Sequence, residues 1–80
     1  MNEKKRINNE KKFGNWKETN SGRIYFLEIT GRWKWKAKYV KEVDQEENTL
    51  KFYQEIYNEK GELVEFHEKY PHDKGHKKLR

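Results

Sequence analysis

From Trp33 to Tyr39 the chain reads Trp-Lys-Trp-Lys-Ala-Lys-Tyr, and this alternation constrains the fold more than any other feature of the 80 residues. Side chains of an extended strand point to opposite faces in turn, whereas a helix would scatter both residue types around its circumference. The run is therefore a strand, with Trp33, Trp35, Ala37 and Tyr39 on one face and Lys34, Lys36 and Lys38 on the other. Such a strand serves equally as a core wall with a solvated lysine face or as a binding surface. Trp35 is expected to be among the more buried residues.

The rest of the chain has to be read around that strand. Hydrophobic residues make up 31% and charged residues 41%, a balance close to that of disordered chains. The apolar residues are nevertheless concentrated between Ile24 and Phe66, and that stretch must supply the core. Residues 1–12 have almost nothing to bury and read as a disordered basic arm, dispensable for folding. Residues 13–68 read as one small β domain, and residues 69–80 as an irregular, basic, histidine-containing tail.

Turn residues divide the domain. Thr19-Asn20-Ser21-Gly22 is a turn cluster. A strand over 23–30 follows, with Tyr25, Leu27 and Ile29 on one face and Ile24 and Phe26 on the other. Thr30-Gly31 should turn it into the Trp-Lys strand, 33–41. Residues 42–48 form an acidic loop. A strand over 49–57 and another over 62–68 flank the turn Asn58-Glu59-Lys60-Gly61 and bring Phe52, Ile56, Val64 and Phe66 to the core. Phe13 and Trp16 offer a further edge strand. The fold expected is all-β, an antiparallel meander of four to five strands, a curled sheet or small open barrel because no amphipathic helix is evident to cover its aromatic face.

Charge is segregated along the chain. The net is +8 through Lys41, −7 from Glu42 to Glu68 and +4 from Lys69 onward. This pattern suits internal neutralisation between strands as well as an anionic partner. No cysteine is present, which removes disulfides and thiolate metal sites. No apolar run approaches the roughly 20 residues of a membrane span, and Met-Asn-Glu-Lys-Lys-Arg-Ile lacks the apolar stretch of a signal peptide. A cytoplasmic chain with no membrane partner is expected.

Aromatic rings stack on unpaired bases and lysines attract phosphates, so RNA or single-stranded DNA is the expected partner. The expected interface is Arg23, Arg32, Trp33, Lys34, Lys36, Lys38 and Tyr39. The alternation carries a difficulty: rings and lysines of one strand face opposite ways, so neighbouring cations must frame the rings. A protein partner, or a second copy of the chain forming a homodimer, is the competing use of an exposed aromatic face, as in a viral or mobile-element inhibitor. The histidines give the remaining chemistry. His72 and His76 lie four apart, with His67, Glu68 and Asp73 nearby, but Gly75 weakens any helix that would align them on a metal. No metal, no cofactor and no catalytic set is expected; His67, His72 and His76 are the alternative acid–base candidates.

The stretch Phe52-Tyr53, Gly61-Glu62-Leu63-Val64, Pro71-His72 and His76 resembles the C-terminal part of the TumE family of toxin–antitoxin proteins. The resemblance covers about the last thirty residues. The His-His pairs and the Asp-Asn-Ala segment that the family places before its Pro-His are missing. The resemblance implies a toxin–antitoxin component acting on RNA or its machinery, with a ribonuclease-like activity resting on His72 and His76.

Overall fold

Turn chemistry sets the order of the strands. The computed structural model describes residues 3–72 and 76–78. Six antiparallel strands follow in chain order, β1 (Asn15–Thr19), β2 (Gly22–Thr30), β3 (Lys36–Asp44), β4 (Thr49–Tyr57), β5 (Leu63–Tyr70) and β6 (His76–Lys78). Each pairs with its sequence neighbour, so the sheet is a meander with β1 and β6 as its two edges, open rather than closed into a barrel. The Asn58–Gly61 turn is as expected: Asn58 Oδ1 accepts from the backbone N–H groups of Lys60 and Glu62 at 2.9 and 3.0 Å, and Gly61 takes a φ of +80°. The acidic loop is shorter than expected, because β3 runs on to Asp44 and that carboxylate caps the turn by accepting from the N–H groups of Glu46 and Asn48. These bonds hold the Asp44 carboxyl below its ordinary range.

Two ends of the chain differ from the sequence reading. The expected disordered arm is instead helix α1 (Glu3–Phe13). Its residues are mostly good helix formers, Glu3 opens it and Lys11 and Lys12 close it, an order that suits the helix dipole. Periodicity hid it because the face it buries is Asn9 and Phe13, one amide and one ring, and not an apolar stripe. The edge strand begins after Phe13, not at it. At the other end, His76–Lys78 adds a sixth strand where an irregular tail was expected, and β5 extends to Tyr70; residues 73–75 and 79–80 lie outside the described residues.

Register assigns the faces. On the helix face the core is Phe13, Tyr25 and Val43, with Leu27, Tyr39 and Phe52 packed against it. Phe13 lies 5.9 Å from Tyr25 and 6.1 Å, edge-on, from Phe52 between ring centroids, distances typical of favourable aromatic pairs. Gly22 makes the sheet approach possible there, since a Cβ on it would stand 2.0 Å from the Val43 carbonyl oxygen. On the other face Phe26, Val40 and Tyr53 stand side by side across three strands, and Tyr53 stacks 5.6 Å from Phe66. Of the core residues expected from sequence, Val64 is buried while Phe52, Ile56 and Phe66 are half-buried. Among the described residues no second layer covers that face, so its side chains shelter one another along the sheet.

A polar cluster joins α1 to the sheet. The fully buried Tyr25 hydroxyl donates to Glu47, which also accepts from Asn9 Nδ2 at 3.4 Å. Lys41 Nζ donates to Asn9 Oδ1 at 2.9 Å. Arg23 donates to Glu10 at 2.8 Å and to the Tyr25 oxygen at 3.3 Å, and its second terminal nitrogen lies 2.6 Å from Glu18. Burial opposes the charge on Arg23, but its hydrogen bonds to Glu10, Tyr25 and Glu18 outweigh that and raise its pKa. Burial, then the bond to Glu47, pushes Tyr25 up to about 12.

Phe13→Ala should cost about 3–5 kcal/mol, and removing residues 1–12 should lower the melting temperature, which differential scanning calorimetry reads directly. An unchanged melting temperature would return the segment to a dispensable arm. The Tyr25 hydroxyl gives a pH signature. Below pH 10 it is protonated folded or unfolded; between about 10 and 12 only the unfolded chain ionises, so its contribution to stability is lost as pH rises through that window. Tyr25→Phe should flatten the alkaline fall in denaturant-measured stability relative to the parent, and parallel curves for the two proteins would refute the assignment.

Candidate functional site: the β2–β3 turn

Two consecutive non-glycine residues take left-handed backbone where the alternating run begins. Residues 31–35 connect β2 to β3, and within them Trp33 and Lys34 both have left-handed backbone, φ +62° and +63°. The Trp35 N–H donates to the Arg32 carbonyl at 3.0 Å, closing a four-residue turn, and the Gly31 N–H donates to the Trp35 carbonyl at 2.7 Å. Two consecutive positive φ angles define the hairpin turn that favours Asn-Gly; Trp-Lys occupies it at a cost of order 1–2 kcal/mol per residue. The turn therefore spans five residues rather than Thr30-Gly31, and the strand starts at Lys36 rather than Trp33. Lifted out of the sheet, the Trp33 side chain is 82% exposed.

Trp35 is also exposed, contrary to expectation. Its Nε1–H donates to Glu59 Oε2 at 2.7 Å, because the meander puts the β2–β3 and β4–β5 turns at the same end of the sheet. The Glu59 carboxylate is held below its ordinary range by its own backbone N–H and then by Trp35. Trp33, Lys34, Trp35 and Glu59 line an open hollow of about 660 Å³. A second hollow of about 450 Å³ adjoins it, sharing Lys34 and Glu59, and gathers Lys34, Lys36, Lys38 and Lys60 against Glu28 and Glu59. Lys36 Nζ lies 3.7 Å from Glu28, and Lys38 Nζ stands 5.8 Å from the centre of the Phe26 ring.

The other expected interface residues are scattered. Arg32 is exposed in the turn itself. Arg23 lies at the far end of β2, turned into the ion pairs with Glu10 and Glu18. Tyr39 shares the helix face, where its hydroxyl accepts from Gln54 at 3.0 Å and Lys69 covers its ring at 5.1 Å. Glu59 and Lys60 were missed from sequence. The turn they occupy was legible, but its position beside Trp35 follows only from strand order.

The histidines do not join this end. His67 is half-buried on β5, opposite Gln54, and His72 is exposed in the bend after Pro71. The β5–β6 register sets His76 opposite His67. Among the described residues no group of three or more His, Asp or Glu side chains could hold a metal ion, and no helix is long and apolar enough to cross a membrane. Comparison with known protein families, with curated proteins and with solved structures gives no match.

Relief of the turn strain is measurable. Trp33→Asn combined with Lys34→Gly should raise stability by about 1–2 kcal/mol in urea unfolding, because both residues tolerate positive φ and the Trp33 ring is not holding the core together. A destabilised double variant would show that the Trp33 ring packs against the sheet after all.

Proposed function

We propose that the protein binds single-stranded nucleic acid, RNA or single-stranded DNA, through the β2–β3 turn, without catalysing a reaction. The observation that carries this reading is Trp33: a large ring held out in solvent on a strained backbone, beside the basic hollow of Lys34, Lys36, Lys38 and Lys60. Strain of this kind persists only where the surrounding structure enforces it, and it clusters at functional sites. A ring so exposed offers both faces to an unpaired base, worth about 1–3 kcal/mol per base stacked, and the lysines supply phosphate attraction. Lifting Trp33 into the turn also eases the difficulty that rings and lysines of one strand face apart. This reading keeps Arg32, exposed in the turn, and leaves out Arg23, which pairs with Glu10 and Glu18, and Tyr39, which lies on the helix face.

A second reading rests on the β5–β6 register. The register sets His76 opposite His67, and a ribonuclease-like toxin–antitoxin component would draw on histidines for general acid–base work. The resemblance to the TumE family, which implies His72 and His76, bears on that reading at His76 and does not extend to His67.

Binding of fluorescently labelled single-stranded RNA and DNA, at two salt concentrations, separates the two. For the first reading, Lys34→Ala with Lys36→Ala should weaken binding and flatten the slope of log affinity against log salt by about 0.7 for each phosphate no longer neutralised. Trp33→Ala should weaken binding with little change in slope, since stacking releases few counterions. A parent that binds neither strand, or variants that bind like the parent, would sink this reading. RNA shortened by the parent and left intact by His67→Ala would favour the second.

A further inference from the structure

Helix α1 covers only part of its face of the sheet, and at its C-terminal end a hollow of about 340 Å³ opens between helix and strands. Its lining is apolar: Phe13, Leu27 and Phe52, with the Tyr39 ring beside them and the exposed Ile29 at the edge. Two cations stand at its rim. Lys12 Nζ lies 5.9 Å from the ring centres of both Phe13 and Phe52, and Lys69 Nζ lies 5.1 Å from Tyr39 and 5.6 Å from Phe52. Among the described residues neither ammonium has a carboxylate partner, and no carboxylate lines the hollow. Lys41, opposite Phe52 in the sheet, adds to the positive field; burial and then the neighbouring Lys12 lower its pKa, with Glu47 acting against them.

We propose that this hollow binds a small organic carboxylate with an apolar body, its head between Lys12 and Lys69 and its body against Leu27, Ile29 and Phe52. The combination selects that chemistry. An inorganic anion would leave the apolar floor wet, and a neutral hydrocarbon would leave both ammonium groups without a counter-charge; a cation would be repelled. The volume falls at the lower end of small-molecule sites, about 300–1,000 Å³, which suits a ligand of roughly ten carbons. The half-exposed Ile29 at the mouth leaves a way in.

Decanoate, held below its micelle concentration, is the probe, with 1-decanol and decyltrimethylammonium as controls for the head group, titrated into the full chain and followed by methyl resonances. Saturable binding of decanoate, shifting Leu27 and Ile29 methyl groups and weakened at least about fivefold in Lys12→Ala/Lys69→Ala, is the expected result. Ile29→Glu, a surface change that leaves the core intact, should abolish it. Equal binding of 1-decanol, unchanged binding by the lysine variant, or no saturation would each overturn the proposal. So would recruitment of the protein to phosphatidylglycerol vesicles without decanoate binding, which would assign the patch to a lipid surface.

Discussion

The buried hydroxyl of Tyr25, donating to Glu47, is the contact on which the arrangement of the two layers depends. Its ring fills the centre of the core between Phe13 and Trp16, while its oxygen meets the carboxylate brought in by the β3–β4 turn and the guanidinium of Arg23. Glu47 reaches that place with a left-handed backbone, φ +65°, in a turn capped by Asp44. Asn9 then ties α1 to the same carboxylate. A chain with so few apolar residues cannot fix a helix on a sheet by hydrophobic area alone. Polar contacts with defined partners do it here, and a buried carboxylate deprived of the Tyr25 hydroxyl would keep its desolvation cost with one donor fewer.

Because the helix is fixed at one end of one face, the two ends of the sheet are built differently. The capped end holds the buried network and the Asp44 turn. The other end holds the two turns that carry Trp33, Trp35 and Glu59 and has no helix over it among the described residues. Consecutive antiparallel pairing is what places alternate turns together, so the proposed interface is a product of topology more than of any single strand.

Much of this could be read from the sequence. The period-two runs located β2, β4 and β5, and the faces of Tyr25, Leu27 and Ile29 and of Phe52, Gln54 and Ile56 follow the alternation. The alternation misled at Trp33, where a run that continues the strand pattern in sequence is broken by a turn that needs two positive φ angles; nothing in Trp-Lys announces such a turn. Helix α1 was illegible for a different reason. Its anchors are Phe13 and the amide of Asn9, whose partners Glu47 and Lys41 lie more than thirty positions away, so no local pattern marks the buried face. The candidate site was legible as residue types and illegible as a place, since Glu59 and Lys60 join it only through strand order.

The segregated charges of the sequence are resolved by the register, and the outcome bears on where a polyanion would bind. Lys38 lies between Glu28 and Glu55 on the two flanking strands, and Glu42 has Lys51 opposite it. The basic strand is therefore largely matched by acidic neighbours, at cross-strand separations where opposite charges attract and much of the positive potential is cancelled. That matching stops at the end of the sheet. Arg32 and Lys34 stand in the turn, outside the ladder, and Lys60 stands in the neighbouring turn, so their charge has no strand partner to oppose it. A phosphate backbone approaching this end of the sheet would meet cations that stand outside the ladder, next to the ring of Trp33 and beside the carboxylate of Glu59. The alternating Trp-Lys run thus divides in two: from Lys36 on it is a strand whose lysines lie beside acidic neighbours, and its first residues, Trp33 to Trp35, are bent out of the strand into the turn.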